Sequence, residues 1–198
     1  VANHPTSTNY FLAGAQDNGV HQLNNPGIGA SVEVTGGDGA YVHIDEDEPQ
    51  FQFGSYVYND YRRSTNGGTS WGSLTFGDVT SGLYGQFINP TDYDDINNNF
   101  YAPWTAGNYL RWINASSGTT AFPVSVASIT ASKLTHTSVS KYTTNSVYFG
   151  SANGKIIKAD NANTAAPTLT DITGTGMSAS TVSCIAQGTN ENNLLATF

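Results

Sequence analysis

Residues 148–158 read YFGSANGKIIK, an aromatic strand that ends in small residues, then a glycine turn, then a second strand. The first part of this segment has counterparts at residues 11–14, 52–55, 100–103 and 194–197, spaced 41, 48, 48 and 46 residues apart along the chain. A repeat of this length is typical of β-propellers, whose repeats each form one four-stranded blade. The sequence therefore predicts an all-β protein built from blades.

Glycine-containing turns follow three copies of the repeat, at residues 17–19, 105–107 and 152–154. Glycine readily adopts the positive φ that tight hairpin turns require. The strands upstream of the later copies are predicted to be the innermost strands of their blades, because the two faces of such a strand meet different environments. These strands are residues 40–44, 84–88, 134–139 and 182–186.

The number of blades is limited by the length of the chain. In 198 residues the repeat predicts about three full blades and two partial ones. A ring of such blades needs roughly 200 to 350 residues. We therefore expect an incomplete ring, a single propeller segment over residues 1–198 that belongs to a longer chain, with the remaining blades among its partners.

A second signature lies at residues 64–71, which read STNGGTSW. Ser64, Asn66, Gly68 and Trp71 match the Ser-x-Asp-x-Gly-x-Thr-Trp pattern of the Asp-box, except that Asn66 replaces the usual Asp. With residues 13–19 and 36–39, the chain resembles the BNR or Asp-box propellers of sortilin-like receptors, xyloglucan-active glycoside hydrolases and large secreted bacterial proteins. The resemblance implies a turn between two outer strands at residues 64–71 and an extracellular location.

The composition narrows the classes of partner. Charged residues make up 11% of the chain and the formal net charge is −8, so we expect no nucleic-acid binding through phosphate neutralisation. No apolar run is long enough to insert into a membrane. Cys184 is the single cysteine and is predicted to be a buried small hydrophobe.

Two carboxylates are candidates for catalysis. Asp38 lies between glycines just before a predicted innermost strand, where loops surround the mouth of a propeller channel. Asp17 lies in a hairpin turn, and xyloglucan-active relatives carry out hydrolysis with a pair of acidic residues. The alternative for both residues is conformational, since Asp side chains commonly bond to backbone amides in turns.

Aromatic residues around one hairpin are candidates for ligand binding. Trp104, Tyr109 and Tyr101 could stack against sugar rings, with Trp104 the most exposed by position. Aromatics at alternating strand positions also pack between blades, and this alternative stays open.

An acidic loop is the candidate metal site. Asp92, Asp94 and Asp95 share one loop with three asparagines, and calcium favours several hard oxygen ligands. The spacing departs from that of the EF-hand, so a solvated acidic loop is the alternative.

Taken with the resemblance, these features predict an extracellular propeller module that binds or scaffolds a carbohydrate or protein ligand. Two alternatives remain: a glycoside hydrolase with paired carboxylates, and a structural component of a surface or filament assembly.

Overall fold

The computed structural model describes residues 1–25, 27, 29–129 and 131–198. Within them the chain forms four four-stranded antiparallel sheets and one two-stranded sheet. The helical content of these described residues is a single 3-10 turn, Ala127–Ile129. No helix of the described residues has the length and hydropathy needed to cross a membrane. The chain is therefore all-β, as the repeat predicts.

The first two sheets lie in the first half of the chain. Sheet 1 contains β1 (Ala2–Asn3), β2 (Phe11–Ala15), β3 (Gly19–Leu23) and β4 (Val32–Thr35). Sheet 2 contains β5 (Val42–Ile44), β6 (Gln52–Ser55), β7 (Asp60–Ser64) and β8 (Gly72–Thr75).

The other three sheets follow in chain order. Sheet 3 contains β9 (Asp92–Asp94), β10 (Asn99–Pro103), β11 (Asn108–Trp112) and β12 (Ala121–Ser125). Sheet 4 contains β13 (Leu134–Val139), β14 (Val147–Ser151), β15 (Ile156–Asp160) and β16 (Thr168–Asp171). Sheet 5 contains β17 (Cys184–Gln187) and β18 (Leu194–Thr197).

Each four-stranded sheet is a meander, in which consecutive strands are neighbours and run antiparallel. The turn between the second and third strands therefore lies at the same end of the sheet as the connection that leaves the fourth strand. We call this the linker end. The turns between strands one and two and between strands three and four lie at the opposite end, which we call the hairpin end.

Two details of the strand prediction are corrected by the structure. Sheet 1 is complete, because Ala2 and Asn3 pair with Leu12 and Phe11, so there are four full sheets where the repeat predicted about three. A two-residue strand is too short to show periodicity. The first strand of sheet 3 is Asp92–Asp94, and the residues predicted as that strand, 84–88, form no strand. They belong to a connection in which Gly85 has a positive φ of 82°.

Cys184 is also placed differently from its prediction. It is exposed on β17, whereas its neighbour Ile185 is buried. Side chains alternate between the two faces of a strand, so the apolar character of the segment did not reveal which residue faces the core.

The chain divides into two compact units, Val1–Asn89 and Pro90–Phe198. In the first unit, the core between sheets 1 and 2 is formed by Leu12, Val20, Val42 and Ile44, against which Trp71 packs. In the second unit, aromatic rings fill the space between sheets 3 and 4, and Tyr109 stacks on Phe149 with ring centroids 4.7 Å apart.

The turn between β7 and β8 forms the side-chain bonds expected of residues 64–71. The Ser64 hydroxyl oxygen accepts from the amide of Gly68 at 2.9 Å, and Asn66 Oδ1 accepts from the amide of Ser70 at 3.0 Å. The Trp71 indole N–H donates to the Gly68 carbonyl at 3.1 Å. Asn66 therefore supplies the acceptor that an Asp would supply at this position.

The fold predicts that a methyl group on Gly14 is not tolerated. A Cβ at Gly14 would lie 1.9 Å from the carbonyl oxygen of Ala40, in the connection between sheets 1 and 2. Since backbone would have to move, we expect Gly14→Ala to lower the free energy of unfolding by more than about 2 kcal/mol, measured by urea denaturation. At Gly72 the nearest atom would be 3.9 Å away, so Gly72→Ala is the matched control and should change it by less than about 0.5 kcal/mol. Equal stability of the two variants would contradict this packing.

Candidate functional site

The linker end of the first unit brings together two turns and two connections. The turns are residues 16–18 and 56–59, and the connections are residues 36–41 and 76–89. Backbone bonds join them in series: the Gly39 amide donates to the Ala15 carbonyl at 2.9 Å, and the Ala40 amide donates to the Ser55 carbonyl at 3.3 Å. The result is one continuous surface of loops that rests on sheets 1 and 2.

The two candidate carboxylates lie in this surface and are linked to each other. Asp38 Oδ1 accepts a hydrogen bond from the backbone amide of Asp17 at 3.0 Å. Asp17 has a positive φ of 64° in the turn between β2 and β3. The bond ties the first connection to the turn, which is the conformational role that the sequence left open for Asp38. A catalytic role for either residue stays a prediction.

The neighbouring turn of sheet 2 is fixed by charged and aromatic side chains. The Arg62 guanidinium lies 5.4 Å from the centre of the Tyr56 ring and 2.6 Å from Asp60 Oδ1. Asp60 also accepts from the Thr75 hydroxyl at 2.9 Å. Gly37 allows the first connection to pass close to this turn, since a Cβ there would lie 2.5 Å from Tyr56.

The second connection is anchored by a buried polar network around Asn89. The Asn89 side-chain N–H donates to Asn59 Oδ1 at 3.0 Å and to the Tyr61 hydroxyl at 3.3 Å, and its Oδ1 accepts from the Gln86 amide at 3.1 Å. The Tyr61 hydroxyl in turn donates to Asn59 at 2.6 Å, and burial raises the pKa of Tyr61. Buried and satisfied networks of this kind fix one conformation.

This anchored connection presents apolar side chains to solvent. Leu83 is 66% exposed, Phe87 43% and Ile88 36%. The Phe87 carbonyl accepts from the amide of Tyr58 at 3.1 Å, and the two rings meet edge to face with centroids 5.9 Å apart. We call Leu83, Phe87 and Ile88 the apolar platform.

The sequence did not reveal the apolar platform, because its residues resemble a strand. The glycines at 82 and 85 both have positive φ, and Pro90 cannot donate a backbone bond. These three residues were the available signal that the segment is a connection.

Charge at the first unit is strongly negative. Residues 1–89 contain nine Asp and Glu residues and two Arg residues, a formal net charge of −7. The platform itself contains no charged residue. An apolar surface on an acidic unit favours a partner that combines apolar and basic groups.

The aromatic candidates of the second unit are placed differently from one another. Tyr101 and Tyr109 are fully buried, and the Tyr109 hydroxyl donates to the Ala162 carbonyl at 2.8 Å. Neither ring is available for stacking from solvent, so the packing alternative applies to both. Trp104 is half-buried beside the turn between β10 and β11, and its role in binding stays a prediction.

Two of the three carboxylates proposed for calcium, Asp92 and Asp94, lie on β9 and not in a loop, and both accept hydrogen bonds from the protein. Asp92 Oδ2 accepts from the amide of Val139 at 2.7 Å, and the Asp94 carboxylate accepts from the amide and side chain of Asn97 at 2.9 to 3.1 Å. Asp95 is half-buried. Across the described ranges, no group of three His, Cys, Asp or Glu residues is arranged to hold a metal ion. Calcium binding by Asp92, Asp94 and Asp95 is untested.

The role of Asp38 in holding the surface predicts a loss of stability on its removal. We expect Asp38→Ala to lower the free energy of unfolding by about 1 kcal/mol, because the Asp17 amide loses its acceptor. Asp38→Asn keeps a carbonyl oxygen and should lose less. Glu46→Ala, at an exposed site, is the control in the same urea titration. If Asp38→Ala is as stable as Glu46→Ala, the carboxylate does not hold the turn.

The environment of Asp92 predicts a pH-dependent stability. Burial raises the pKa of Asp92 from 3.8 to about 6, although the Val139 and Tyr93 amides oppose this by donating to the carboxylate. The folded state therefore holds the proton more tightly than the unfolded state. This contribution to stability is complete below pH 3.8 and is lost as the pH rises to about 6.

Asp92→Asn is neutral at every pH and isolates this effect. We expect the variant to be more stable than the wild type at pH 7, by on the order of 2 kcal/mol, with the gain vanishing near pH 4 in urea denaturation. A calcium ion held by Asp92 would reverse the sign, because the variant would then be less stable than the wild type in millimolar calcium at neutral pH. A difference that does not change with pH would contradict the raised pKa.

Comparison with known proteins shows the fold. No sequence family and no curated protein matches the chain. Among solved structures, YCF48 from Cyanidioschyzon merolae matches with a TM-score of 0.54 at 13% identity, over 78% of this chain and 53% of that one. A structure of YCF48 bound to D1 peptide matches with a TM-score of 0.60 at 12% identity, over 89% of this chain and 53% of that one.

A third structure, the GH74 enzyme of Niastella koreensis, matches with a TM-score of 0.58 at 18% identity, over 84% of this chain and 23% of that one. The chain thus spans about half the length of the YCF48 structures and about a quarter of the GH74 enzyme. These neighbours are β-propellers, so the predicted all-β propeller fold is confirmed, and five sheets are consistent with part of a ring. The BNR type and the extracellular location stay predictions.

Proposed function

We propose that the chain is a propeller module that binds a protein segment, and that the apolar platform at the linker end of the first unit is the contact surface. The observation that carries this proposal is the exposure of Leu83, Phe87 and Ile88 on a connection that Asn89 anchors. Large apolar side chains that stay exposed on one connection are typical of protein contact sites. Recognition residues on propellers belong to loops that a rigid scaffold positions.

The anchoring favours binding because the surface is ordered before a partner arrives. Burial of one large apolar side chain contributes about 1.5 to 3 kcal/mol, and little of this is lost to ordering when the backbone is already fixed. The three platform side chains are wholly apolar, which suits apolar side chains of a protein better than the hydroxyl groups of a sugar.

The proposed partner segment carries basic residues as well as apolar ones. The formal charge of −7 on residues 1–89 attracts positive charge and raises association rates at low salt. One neighbour by fold was solved with a bound peptide, which is in keeping with a peptide ligand for this module. An extracellular location is part of the proposal and is supported by the low charge content of the chain.

Binding has more support than polysaccharide hydrolysis. The contact that the structure shows for Asp38 is a hydrogen bond from the Asp17 amide, which holds a turn and gives no support to a role in hydrolysis. The GH74 neighbour shares the fold at 18% identity, which carries no chemistry to this chain.

The proposal predicts the composition of selected peptides and the effect of platform variants. Selection of a displayed library of random 12-residue peptides on the purified chain should enrich sequences with apolar and basic residues. By calorimetry, these peptides should bind Leu83→Ser and Phe87→Ser about tenfold more weakly than the wild type, and increasing salt should weaken binding to all of them. Ile96→Ser is the control, since Ile96 is 75% exposed on a turn of the second unit.

Failure of selection to enrich any peptide would contradict the proposal, as would peptides that bind both platform variants as tightly as they bind Ile96→Ser. Concentration-dependent self-association that both platform variants abolish would instead indicate the assembly alternative, in which the partner is a second copy.

A further inference from the structure

A cleft lies at the hairpin end of the first unit, whereas the apolar platform lies at the linker end. It is an open cleft of about 470 Å³ between strands β3 and β4 of sheet 1 and the turn at residues 68–71 of sheet 2. Small-ligand sites are typically about 300 to 1,000 Å³, so its volume is sufficient for a small ligand. Its polar and aromatic lining is formed by Gln22, Asn24, Glu33, Thr69, Ser70 and Trp71.

The position of the Trp71 ring in this cleft is fixed. Its indole N–H donates to the Gly68 carbonyl, so the ring is held against its own turn. Gly68 has a φ of 80°, and a Cβ there would lie 2.3 Å from the Tyr10 hydroxyl and 3.1 Å from Oε1 of Gln22 on β3. The turn therefore presses against sheet 1 and cannot withdraw without losing these contacts. Trp71 is half-buried, with one part of its ring on the core and the rest at the cleft.

The polar side chains of the cleft have unused bonding capacity. Within the part of the chain that the structure describes, Gln22, Asn24 and Glu33 form no side-chain hydrogen bond with the protein. Two amides supply donors and acceptors, and the Glu33 carboxylate supplies acceptors only. They share the cleft with a fixed aromatic ring and the apolar side chains of Val32 and Val34.

We propose that this cleft binds a neutral pyranose sugar. A pyranose has an apolar C–H face, which packs on an indole ring, and hydroxyl groups around its edge, which donate to carboxylate and amide oxygens and accept from amide N–H groups. The cleft offers both kinds of contact side by side. Glu33 and the net charge of −7 on residues 1–89 repel carboxylate-bearing sugars, so neutral sugars are favoured over uronic and sialic acids.

This sugar site is independent of the proposed protein contact. The platform lies on the connection at residues 76–89, at the linker end. The cleft lies at the hairpin end, between strands β3 and β4 of sheet 1 and the turn between β7 and β8 of sheet 2. Loss of peptide binding in platform variants would leave sugar binding intact, and the converse also holds.

The test is titration of the full chain with neutral hexasaccharides of glucose or mannose, followed by NMR of the three Trp indole N–H groups. Trp71→Phe assigns the Trp71 signal. At least one neutral hexasaccharide should produce a saturable shift of this signal, and oligogalacturonate should produce none. Glu33→Ala should weaken the sugar about fivefold and Gln22→Ala by a similar factor. Ile96→Ser should leave the affinity unchanged.

Either of two results would overturn the sugar site: no saturable shift of the Trp71 signal with any neutral sugar at millimolar concentration, or an affinity that Glu33→Ala and Gln22→Ala leave unchanged. Both variants alter exposed or half-buried side chains, and we expect their circular dichroism spectra to match that of the wild type. A shift of the Trp71 signal by the selected peptides, with none by sugars, would assign the cleft to a peptide and overturn the proposal.

Discussion

Neighbouring sheets in each unit fit together because the repeat places a small residue near the end of its second strand. In the first unit, a Cβ on Gly14 would lie 1.9 Å from the Ala40 carbonyl oxygen, and one on Gly54 would lie 3.0 Å from Val20. In the second unit, a Cβ on Gly150 would lie 2.6 Å from Val182. Each contact joins a second strand to the adjacent sheet or to the segment that leads to it. The sequence repeat therefore marks positions where a neighbouring segment comes so close to the backbone that only a small residue fits.

The candidate surface depends on this constraint. Because the first connection lies directly on Gly14, residues 36–41 are held at the linker end, where Asp38 reaches the Asp17 amide. The second connection is longer, and the buried contacts of Asn89 with Asn59 and Tyr61 hold it in place. The Asn89 side chain also accepts from the Gln86 amide, and the side chains of Leu83, Phe87 and Ile88 on this connection are exposed. A loop with this combination of internal order and apolar exposure is suited to binding a partner with little loss of entropy.

The sequence was sufficient to predict those parts of the fold that depend on residues close together in the chain. The spacing of the repeat predicted the sheets, and residues 64–71 predicted a turn whose bonds the structure shows. The sequence was insufficient where contacts between residues distant along the chain determine the structure. Tyr101 and Tyr109 lie on the two strands of one hairpin, and no local pattern distinguishes exposed from buried rings there, yet both are buried against sheet 4. The residues at 84–88 have the composition of a strand, but the positive φ of Gly85 and the bonds of Asn89 hold them in a connection. The acceptor role of Asp38 requires a partner 21 residues away, which no local pattern encodes.

The central claim is that the linker end of the first unit recognises a protein segment, and hydrogen exchange tests it most directly. Amide exchange of the chain, measured by mass spectrometry with and without a saturating selected peptide, reports which backbone segments become protected. The account predicts that added protection is concentrated in residues 76–89 and the adjoining turn at residues 56–59. Protection confined to the hairpin end or to the second unit would contradict it.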